Sequence, residues 1–414
     1  MSTRKEKIPT VRFRAFSEPW FQNQLSEVAE FSKGRGYSKK DIQPQGTPII
    51  LYGRLYTKYQ SVISNIDTYA NMEKNSVISE GGEVIIPASG ESAAEISRAS
   101  CVTDGGVILG GDINIVKPHE SLDSSFIAIT LSNGSQQREL SKRAQGKSVV
   151  HLHNSDLKAV KLFYPSYEEQ FAIGSLFRNI DDLLASYKDN LINYQYLKAT
   201  MLSKMFPKAG QTVPEIRLDG FEGEWKVQSL KELARFSKGN GYTKSDLVNS
   251  GNEIILYGQL YTNYQTVISM FNTFVLETRE KSVISKGREV VVPASGESAE
   301  DISRASVIEK SGVIIGGDLN IIYPDENKVD SIFLALTISN GSQQKELIKR
   351  AQGKSVVHLR NNDLEKVILH YPSMEEQRAI GLYFSNLDNL INSQQEKISQ
   401  LETLKKKLLQ DMFI

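Results

Sequence analysis

The sequence predicts an α+β protein built as a tandem duplication, in which a sheet-rich domain precedes a long helix in each copy. The first observation is internal repetition: 31–37 matches 236–242 at an offset of 205, and 143–152 matches 350–359 at an offset of 207. The second is a series of short β-branched runs, and the third is a long apolar stripe at helical spacing that ends each copy. A repeat of about 206 residues indicates duplicated domains rather than a solenoid of short repeats.

The first part of each copy has the pattern of a sheet with tight turns. Four runs of Val, Ile and Leu are bounded by glycines in the first copy: 77–78, 84–86, 107–109 and 113–116. The segment 125–140 is predicted to be helical. Asp112 and Asp318 follow paired glycines, where a carboxylate is expected to tie a turn.

A continuous apolar stripe predicts a long helix at the end of each copy. The first stripe comprises Ile173, Phe177, Ile180, Leu184, Tyr187, Leu191, Tyr194, Leu197, Met201 and Met205. The second comprises Ile380, Phe384, Leu387, Ile391, Gln394, Ile398, Leu401, Leu404, Leu408 and Met412. Such a stripe also forms when a helix packs on its own domain, but two matching seams in one chain favour pairing as a coiled coil.

The two helices are predicted to pair antiparallel, with pseudo-two-fold symmetry. A helix of roughly 38 residues is roughly 57 Å long, and the linker is too short to return along it. Tyr187 and Gln394 would then share a central layer. The predicted boundaries are a first sheet-rich domain, a helix, a linker, a second sheet-rich domain and a helix: 1–165, 166–206, 207–213, 214–372 and 373–414.

Composition is that of an ordinary globular protein, with 414 residues, 40% hydrophobic and 24% charged. No apolar run reaches the 18 residues of a membrane span, and Cys101 is the only cysteine, so a cytoplasmic protein without disulfides is expected. The formal net charge is zero. A protein that grips DNA alone usually has a basic excess, so neutrality favours a subunit whose partners supply part of the grip.

Sites for catalysis are not predicted. Gly146-Lys147-Ser148 resembles the end of a phosphate-binding loop, but Ser141 stands where that loop needs a glycine. No metal-ligand set, nucleophile–base pair or nucleotide-binding glycine fingerprint is found in both copies. An enzyme with duplicated active sites is therefore disfavoured.

Three duplicated segments carry a family resemblance. They are 51–59 with 256–264, then Ala144-Gln-Gly-Lys-Ser-Val-Val-His151 with its counterpart, and Pro165-Ser-Tyr-Glu-Glu-Gln170 with Pro372-Ser-Met-Glu-Glu-Gln377. The three segments occur in the same order in both copies. Together with the long helix that ends each copy, they cover nearly the whole chain. Together they resemble the specificity subunit of type I restriction-modification systems.

The resemblance implies two target-recognition domains that each read half of a bipartite double-stranded DNA site. It also implies that the helices act as a ruler and dock two methyltransferase subunits, in a complex that restriction subunits can join. S-adenosylmethionine, ATP and Mg would be bound by those partners, and none by this chain. Two other interpretations stay open: the recognition subunit of a type IIB-like system, and a duplicated protein-binding scaffold.

Polar and aromatic residues of the glycine-rich loops are the predicted DNA contacts, since such side chains reach base edges and phosphates. In the first copy they are Arg35, Tyr37, Lys39, Arg54, Tyr56, Lys58, Tyr59, Ser89, Ser92, Arg98, Lys147, Ser148 and His151. In the second they are Asn240, Tyr242, Lys244, Gln259, Tyr261, Asn263, Tyr264, Ser295, Ser298, Arg304, Lys354, Ser355 and His358.

Some of these residues have an equally good structural interpretation. Arg98 and Arg304 are placed to form ion pairs with Glu91 and Glu297, respectively. The neighbouring Tyr52 and Tyr257 lie in apolar runs and are predicted to be core residues.

Differences between the copies predict different bases. Arg35, Arg54 and Lys58 become Asn240, Gln259 and Asn263. Arg and Lys favour guanine whereas Asn and Gln favour adenine. The half-sites should be inverted and similar, with a G in the first where the second has an A.

Overall fold

The computed structural model describes residues 8–146, 149–262, 264–353 and 356–413. Within them the chain forms two compact units. Unit 1 contains the chain up to Lys188 together with the residues from Glu396 onward, and unit 2 contains Asp189–Gln395. Each long helix is thus divided between the units, whereas the sequence suggested separate helices and domains.

Unit 1 is centred on a five-stranded sheet in the order Ala29–Lys33, Ile113–Pro118, Glu83–Pro87, Ser100–Val102, Val62–Ile63. Its other strands are Phe21–Gln24, Ile42–Gln43, Thr47–Ile50, Tyr69–Ala70, Ser89–Gly90, Ile108–Leu109, Val150–His151 and Lys161–Tyr164. Its shorter helices are Leu25–Val28, Lys39–Asp41 (3₁₀), Arg54–Thr57, Ala93–Ile96, Ser124–Leu131, Gly134–Arg143 and Asn154–Lys158.

Both faces of the central sheet are buried, which explains its continuous apolar runs. Val84 and Ile86 face a core with Phe126 of the helix Ser124–Leu131. Ile85 points to the opposite face, where it joins a second core with Leu55. This alternation is that of a β-strand.

Unit 2 repeats this architecture. Its strands are Lys226–Ser229, Ala234–Lys238, Leu247–Val248, Asn252–Ile255, Val267–Ile268, Phe274–Val275, Val283–Ile284, Glu289–Pro293, Ser295–Gly296, Ser306–Ile308, Ile314–Ile315, Leu319–Pro324, Val357–His358 and Ile368–Tyr371. Its shorter helices are Leu230–Glu232 and Lys244–Asp246 (both 3₁₀), Gln259–Thr262, Ala299–Ile302, Ser331–Ile338, Gly341–Arg350 and Asn361–Leu364.

Three of the four strands predicted in the first copy are present, and the segment predicted to be helical at 125–140 forms two helices. The run 77–78 is the exception. There only Ile78 forms an isolated bridge, to Ile108, whereas the counterpart Val283–Ile284 pairs as a strand.

The long helices are Tyr167–Lys204 and Met374–Asp411, each of 38 residues. Within each unit their segments run antiparallel. In unit 1, Lys188 pairs with Glu402 at 2.7 Å and Asp181 pairs with Lys405. In unit 2, the equivalent pair joins Lys198 to Asp388.

The predicted seam is wrong at one position in each helix. Leu197 and Leu404 are 37% and 47% exposed. The neighbouring Lys198 and Lys405 turn inward instead, because each finds an aspartate on the opposite helix. Long lysine side chains can bury their stems in this way while the ammonium keeps a partner.

The Pro-Ser-X-Glu-Glu-Gln motif fastens each domain to its helix. Glu169 is buried and accepts two 2.6 Å hydrogen bonds from Arg12. Gln170 is also buried; its amide donates to the carbonyl of Pro165 at 3.0 Å, and its oxygen accepts from the N–H of Asp123 at 3.0 Å. Unit 2 repeats the arrangement with Glu376, Arg217, Gln377, Pro372 and Asp330.

A search of the described helices finds none with the length and apolarity needed to cross a membrane.

Candidate nucleic-acid interface

The first glycine-rich loop of unit 1, residues 33–41, packs closely on a neighbouring turn. A Cβ on Gly34 would lie 2.0 Å from the carbonyl oxygen of Gly110, so no side chain fits there. The loop backbone is therefore tightly placed. The side chains of Arg35 and Lys39 are exposed on it.

Two tyrosines hold this loop and its counterpart from inside. Tyr37 has φ 57°, and its hydroxyl lies 2.5 Å from that of Ser76 and accepts from the N–H of Glu73 at 2.9 Å. Tyr242 has the same φ and is only 6% exposed, and its hydroxyl lies 2.6 Å from the hydroxyl of Ser282. These phenols are engaged in fixing a strained loop, although the sequence placed them among the DNA contacts.

A short two-stranded antiparallel sheet is formed by Ser89–Gly90 and Val150–His151. His151 pairs with Ser89 in it, and the ring of His151 is stacked 6.3 Å from that of His153. The amide of Asn154 donates to the carbonyl of Ser32 at 2.9 Å, which joins this segment to the strand Ala29–Lys33 that leads into the first loop. In unit 2 the corresponding residues are His358, Ser295, Arg360, Asn361 and Ser237.

The segment that contains Arg54–Thr57 completes the cluster. The hydroxyl of Tyr56 donates to the carbonyl of Ser89 at 2.5 Å, and burial raises the pKa of this phenol. Tyr56 of the segment 54–59 and His151 of the segment 149–153 thus both contact Ser89. Asn154 ties these segments to the strand Ala29–Lys33, which leads into the first glycine-rich loop.

Arg54 is committed to its own loop. Its guanidinium is 11% exposed and donates to Asp67 at 2.8 Å and to the carbonyl of Asn65 at 2.7 Å. Gln259 in unit 2 is likewise engaged, donating to Thr273 at 2.9 Å. Both side chains serve their loops, so this pair of predicted base readers is poorly placed for base contact.

Arg98 and Arg304 lie 5.4 Å above the rings of Tyr59 and Tyr264, respectively. Burial raises the pKa of both phenols, and each donates to a backbone carbonyl at 3.3 Å. The alternative ion pairs to Glu91 and Glu297 are not found among the described residues. The arginines are instead oriented by cation–π contacts.

The model of the type I restriction modification DNA specificity domain matches residues 17–194 and again residues 222–403. The chain belongs to this family. The resemblance inferred from the duplicated segments is thereby confirmed, including the α+β tandem architecture.

Two curated relatives of this specificity-domain protein come from Methanocaldococcus jannaschii. The type I restriction enzyme MjaVIII specificity subunit is 20% identical over 407 residues, covering 95% of this chain and 91% of the relative. The putative type I restriction enzyme MjaX specificity subunit is 21% identical, covering 72% and 70%. The S subunit of a type I restriction-modification system from M. genitalium has a similar fold, with a TM-score of 0.64, 15% identity and 99% coverage of both chains.

Several predicted contacts of the specificity domains have structural roles. Ser92 and Ser298 are helix N-caps that accept from the N–H of Glu95 at 3.3 Å and Asp301 at 3.1 Å. Ser295 is buried. These hydroxyls order the loop that the sequence assigned to DNA.

Asp112 has φ 57°, and its carboxylate accepts a hydrogen bond from the Ser89 hydroxyl at 3.3 Å, which links its turn to the neighbouring strand. Tyr52 was predicted to be a core residue, and this is wrong because it is 41% exposed. Tyr257 is partly buried against a core.

The surface that remains consists of exposed polar side chains. Predicted contacts found there are Arg35, Lys39, Lys58, His151, Asn240, Lys244 and His358. Tyr261 is partly buried beside Tyr257. Lys147, Ser148, Asn263, Lys354 and Ser355 lie outside the described residues.

Sequence reasoning missed His153 and Arg360. Both are exposed. His153 lies two residues after His151, and Arg360 lies two residues after His358. A strand alternates its faces with a period of two, so this spacing was the available signal.

Among the described residues, no group of three His, Cys, Asp or Glu side chains is arranged to hold a metal ion. Cys101 is buried, and burial raises the pKa of its thiol to about 12. Such a thiol is a structural group at neutral pH.

Proposed function

We propose that each unit reads one half of a bipartite DNA site on behalf of a methyltransferase complex, and that the chain catalyses no reaction itself. The observation that carries this proposal is the contact of Tyr56 and His151 with Ser89 in unit 1, together with two contacts that unit 2 repeats: the pairing of His358 with Ser295 and the hydrogen bond from Asn361 to Ser237. A pre-ordered backbone that presents exposed polar side chains suits groove recognition.

Residues that are identical in both copies and exposed or partly exposed are assigned to the sugar–phosphate backbone. Lys39, His151 and Arg98 recur as Lys244, His358 and Arg304, and contacts shared by both copies carry no difference in base preference. Arg98 is already oriented by its tyrosine, which lowers the entropy lost on contact.

Exposed residues that differ are assigned to base reading. Arg35 and Asn240 occupy the same loop position, and both are exposed. One N–H of the Asn240 amide is bound to the carbonyl of Lys281, and its second N–H and its oxygen are assigned to the base. Arg favours guanine and Asn favours adenine, so the half-sites should be inverted, nearly palindromic, and different at this base.

The methyltransferase is proposed to dock on exposed leucines of the long helices. In unit 1, Leu183 and Leu404 flank the Asp181–Lys405 ion pair and are about half exposed. In unit 2 the equivalent leucines are Leu390 and Leu197. Two equivalent patches fit two copies of one partner. S-adenosylmethionine would be bound by those partners, and ATP and Mg by restriction subunits where these join.

Native mass spectrometry of the co-expressed complex tests this docking. The double variant Leu183→Glu with Leu404→Glu should reduce the methyltransferase content from two copies to one. Leu382→Glu, another exposed helix leucine without a counterpart leucine, should leave two copies. Retention of both copies by the double variant would contradict the docking assignment.

The helices are proposed to set the spacer between half-sites. Four residues inserted near the middle of both helices add about 6 Å of rise per helix and should lengthen the preferred spacer by roughly one to two base pairs. Tyr187 and Gln394 remain predicted partners of the central layer. Binding to DNAs that differ only in spacer length tests this proposal, and an unmoved optimum in a folded variant would contradict it.

The function as a whole is tested by mapping methylated positions in DNA exposed to this chain and its methyltransferase. We expect a bipartite, inverted site. Lys39→Ala and Lys244→Ala together should weaken binding to all sequences and lower its salt dependence. Absence of a defined site, or two unrelated half-sites, would contradict the proposal.

A further inference from the structure

One interface position differs between the units in chemistry but not in placement. His153 in unit 1 follows the strand Val150–His151, and Arg360 in unit 2 follows the strand Val357–His358. Each is the N-cap of a short helix. The backbone N–H of His153 donates to Asp156 at 2.9 Å, and that of Arg360 donates to Asp363 at 3.1 Å. The two side chains therefore leave equivalent backbones.

Neighbouring contacts make that placement rigid. The residue after each, Asn154 or Asn361, donates from its amide to a carbonyl of the adjoining strand at 2.9 Å. The residue before each, Leu152 or Leu359, is buried. A side chain held between two such anchors projects from a fixed point.

The position also lies between two segments that carry predicted DNA contacts. On one side is the strand Ala29–Lys33, which leads into the first glycine-rich loop and is reached through the Asn154 bond to Ser32. On the other is the Ser89 strand, which pairs with His151, whose ring is parallel to that of His153 within 3°. Both His153 and Arg360 are exposed.

We propose that His153 and Arg360 are specificity-determining residues, each reading one base pair at the equivalent position of its half-site. The guanidinium of Arg360 has the fork of donors that pairs with O6 and N7 of guanine. The imidazole of His153 offers a single ring-nitrogen contact at a time toward the base, so it selects a different base or selects less sharply. This inference rests on the proposed function.

Exchange of the two residues tests the proposal. The full chains carrying His153→Arg or Arg360→His are incubated with a pool of randomised double-stranded DNA, and the bound molecules are sequenced. His153→Arg should bring guanine to one position of the first half-site, with preference changed by about 5- to 150-fold. Arg360→His should weaken guanine at the equivalent position of the second half-site by a similar factor.

A matched control uses the same substitution elsewhere. His119 is exposed and follows the strand Ile113–Pro118, whose opposite end begins beside Asp112 at the interface. The length of this strand separates His119 from Asp112 by roughly 20 Å. His119→Arg adds the same charge and should leave every base preference unchanged.

Each outcome separates the inference from the proposed function. If the unaltered chain selects a bipartite site but both exchanges leave its base preferences unchanged, only the inference fails. The same holds if both exchanges alter affinity equally for all sequences, as expected for a phosphate contact. If the unaltered chain selects no site, the proposed function fails.

Discussion

The first glycine-rich loops of the two units share a backbone path but are braced differently. In unit 2, Arg279 lies 4.3 Å from the ring centre of Tyr242 and pairs with Asp246 at 2.5 Å. The equivalent of Arg279 in unit 1 is Glu73. The Asn240 amide also donates to the carbonyl of Lys281 at 2.9 Å.

This comparison shows how a duplicated module can diverge without changing its fold. The glycine contacts and the tyrosine hydroxyl set the backbone in both units. Substitutions then accumulate on side chains around that backbone. We expect larger effects from changing what the units share than from changing what distinguishes them.

The largest expected effect comes from the shared ion pair between domain and helix. Arg12→Ala should destabilise unit 1 by about 3–5 kcal/mol, because it leaves a buried carboxylate without its partner. Arg217→Ala should do the same to unit 2. Hydrogen exchange of peptides from each unit, with urea unfolding, measures both. Exposed Arg14→Ala is the control, and unequal losses in the two units would show that the junctions are not equivalent.

The next effect concerns Arg54, which supports its loop with charged hydrogen bonds. Arg54→Gln should cost about 1.5–3 kcal/mol locally, seen as faster amide exchange across 54–67. Lys58→Ala should cost less than about 1 kcal/mol, since its pair with Asp67 is exposed. The base preference of a folded Arg54→Gln protein should stay unchanged. A clean change from G to A would restore Arg54 as a base reader.

A smaller effect is expected from exchanging the loop braces. Arg279→Glu should speed amide exchange in 241–246 by roughly fivefold. This factor corresponds to the loss of about 1 kcal/mol from the cation–π contact and the exposed ion pair together. Glu73→Arg should slow exchange in the loop of unit 1. Tyr242→Phe in unit 2, which keeps the ring beneath Arg279 but removes the hydroxyl, separates bracing by the arginine from the hydroxyl contacts. If exchange is unchanged in both brace variants, Arg279 does not brace the loop.

The smallest effect depends on pH. Hydrogen bonds from Ser38 hold the pKa of Asp41 below its usual 3.8, and Thr243 and Arg279 lower that of Asp246. A lowered folded-state pKa stabilises the loop above pH 3.8, and this stabilisation is lost as pH falls through the lowered value. Protonation of Asp246 also removes the Arg279 pair, so the loops should become more alike in acid. Amide exchange corrected for its intrinsic rate, with circular dichroism to show that the fold persists, tests this convergence.

The sequence by itself determined the duplication, the sheet-rich domains and the long helices. These features are local: β-branched runs between glycines and a stripe with helical period report burial of one element at a time. The repeated Pro-Ser-X-Glu-Glu-Gln motif also marked the helix start, although its buried partners Arg12 and Arg217 are more than 150 residues distant.

Only the tertiary structure decided which polar side chains are bound within the protein and which are left exposed. Arg54 and Tyr242 are residue types that often contact DNA. In this protein, however, Arg54 is hydrogen-bonded to Asp67, and Tyr242 is hydrogen-bonded to Ser282. Lys198 is partly buried because it pairs with Asp388, which the fold brings to it from the opposite helix. His153 looked unremarkable until its strand was placed beside Ser32 and Ser89. The type of a residue and its spacing in the sequence indicate which hydrogen bonds its side chain can form. The partner that it actually has comes from a distant segment of the chain, and that partner decides whether the side chain stabilises the fold or stays available for a ligand.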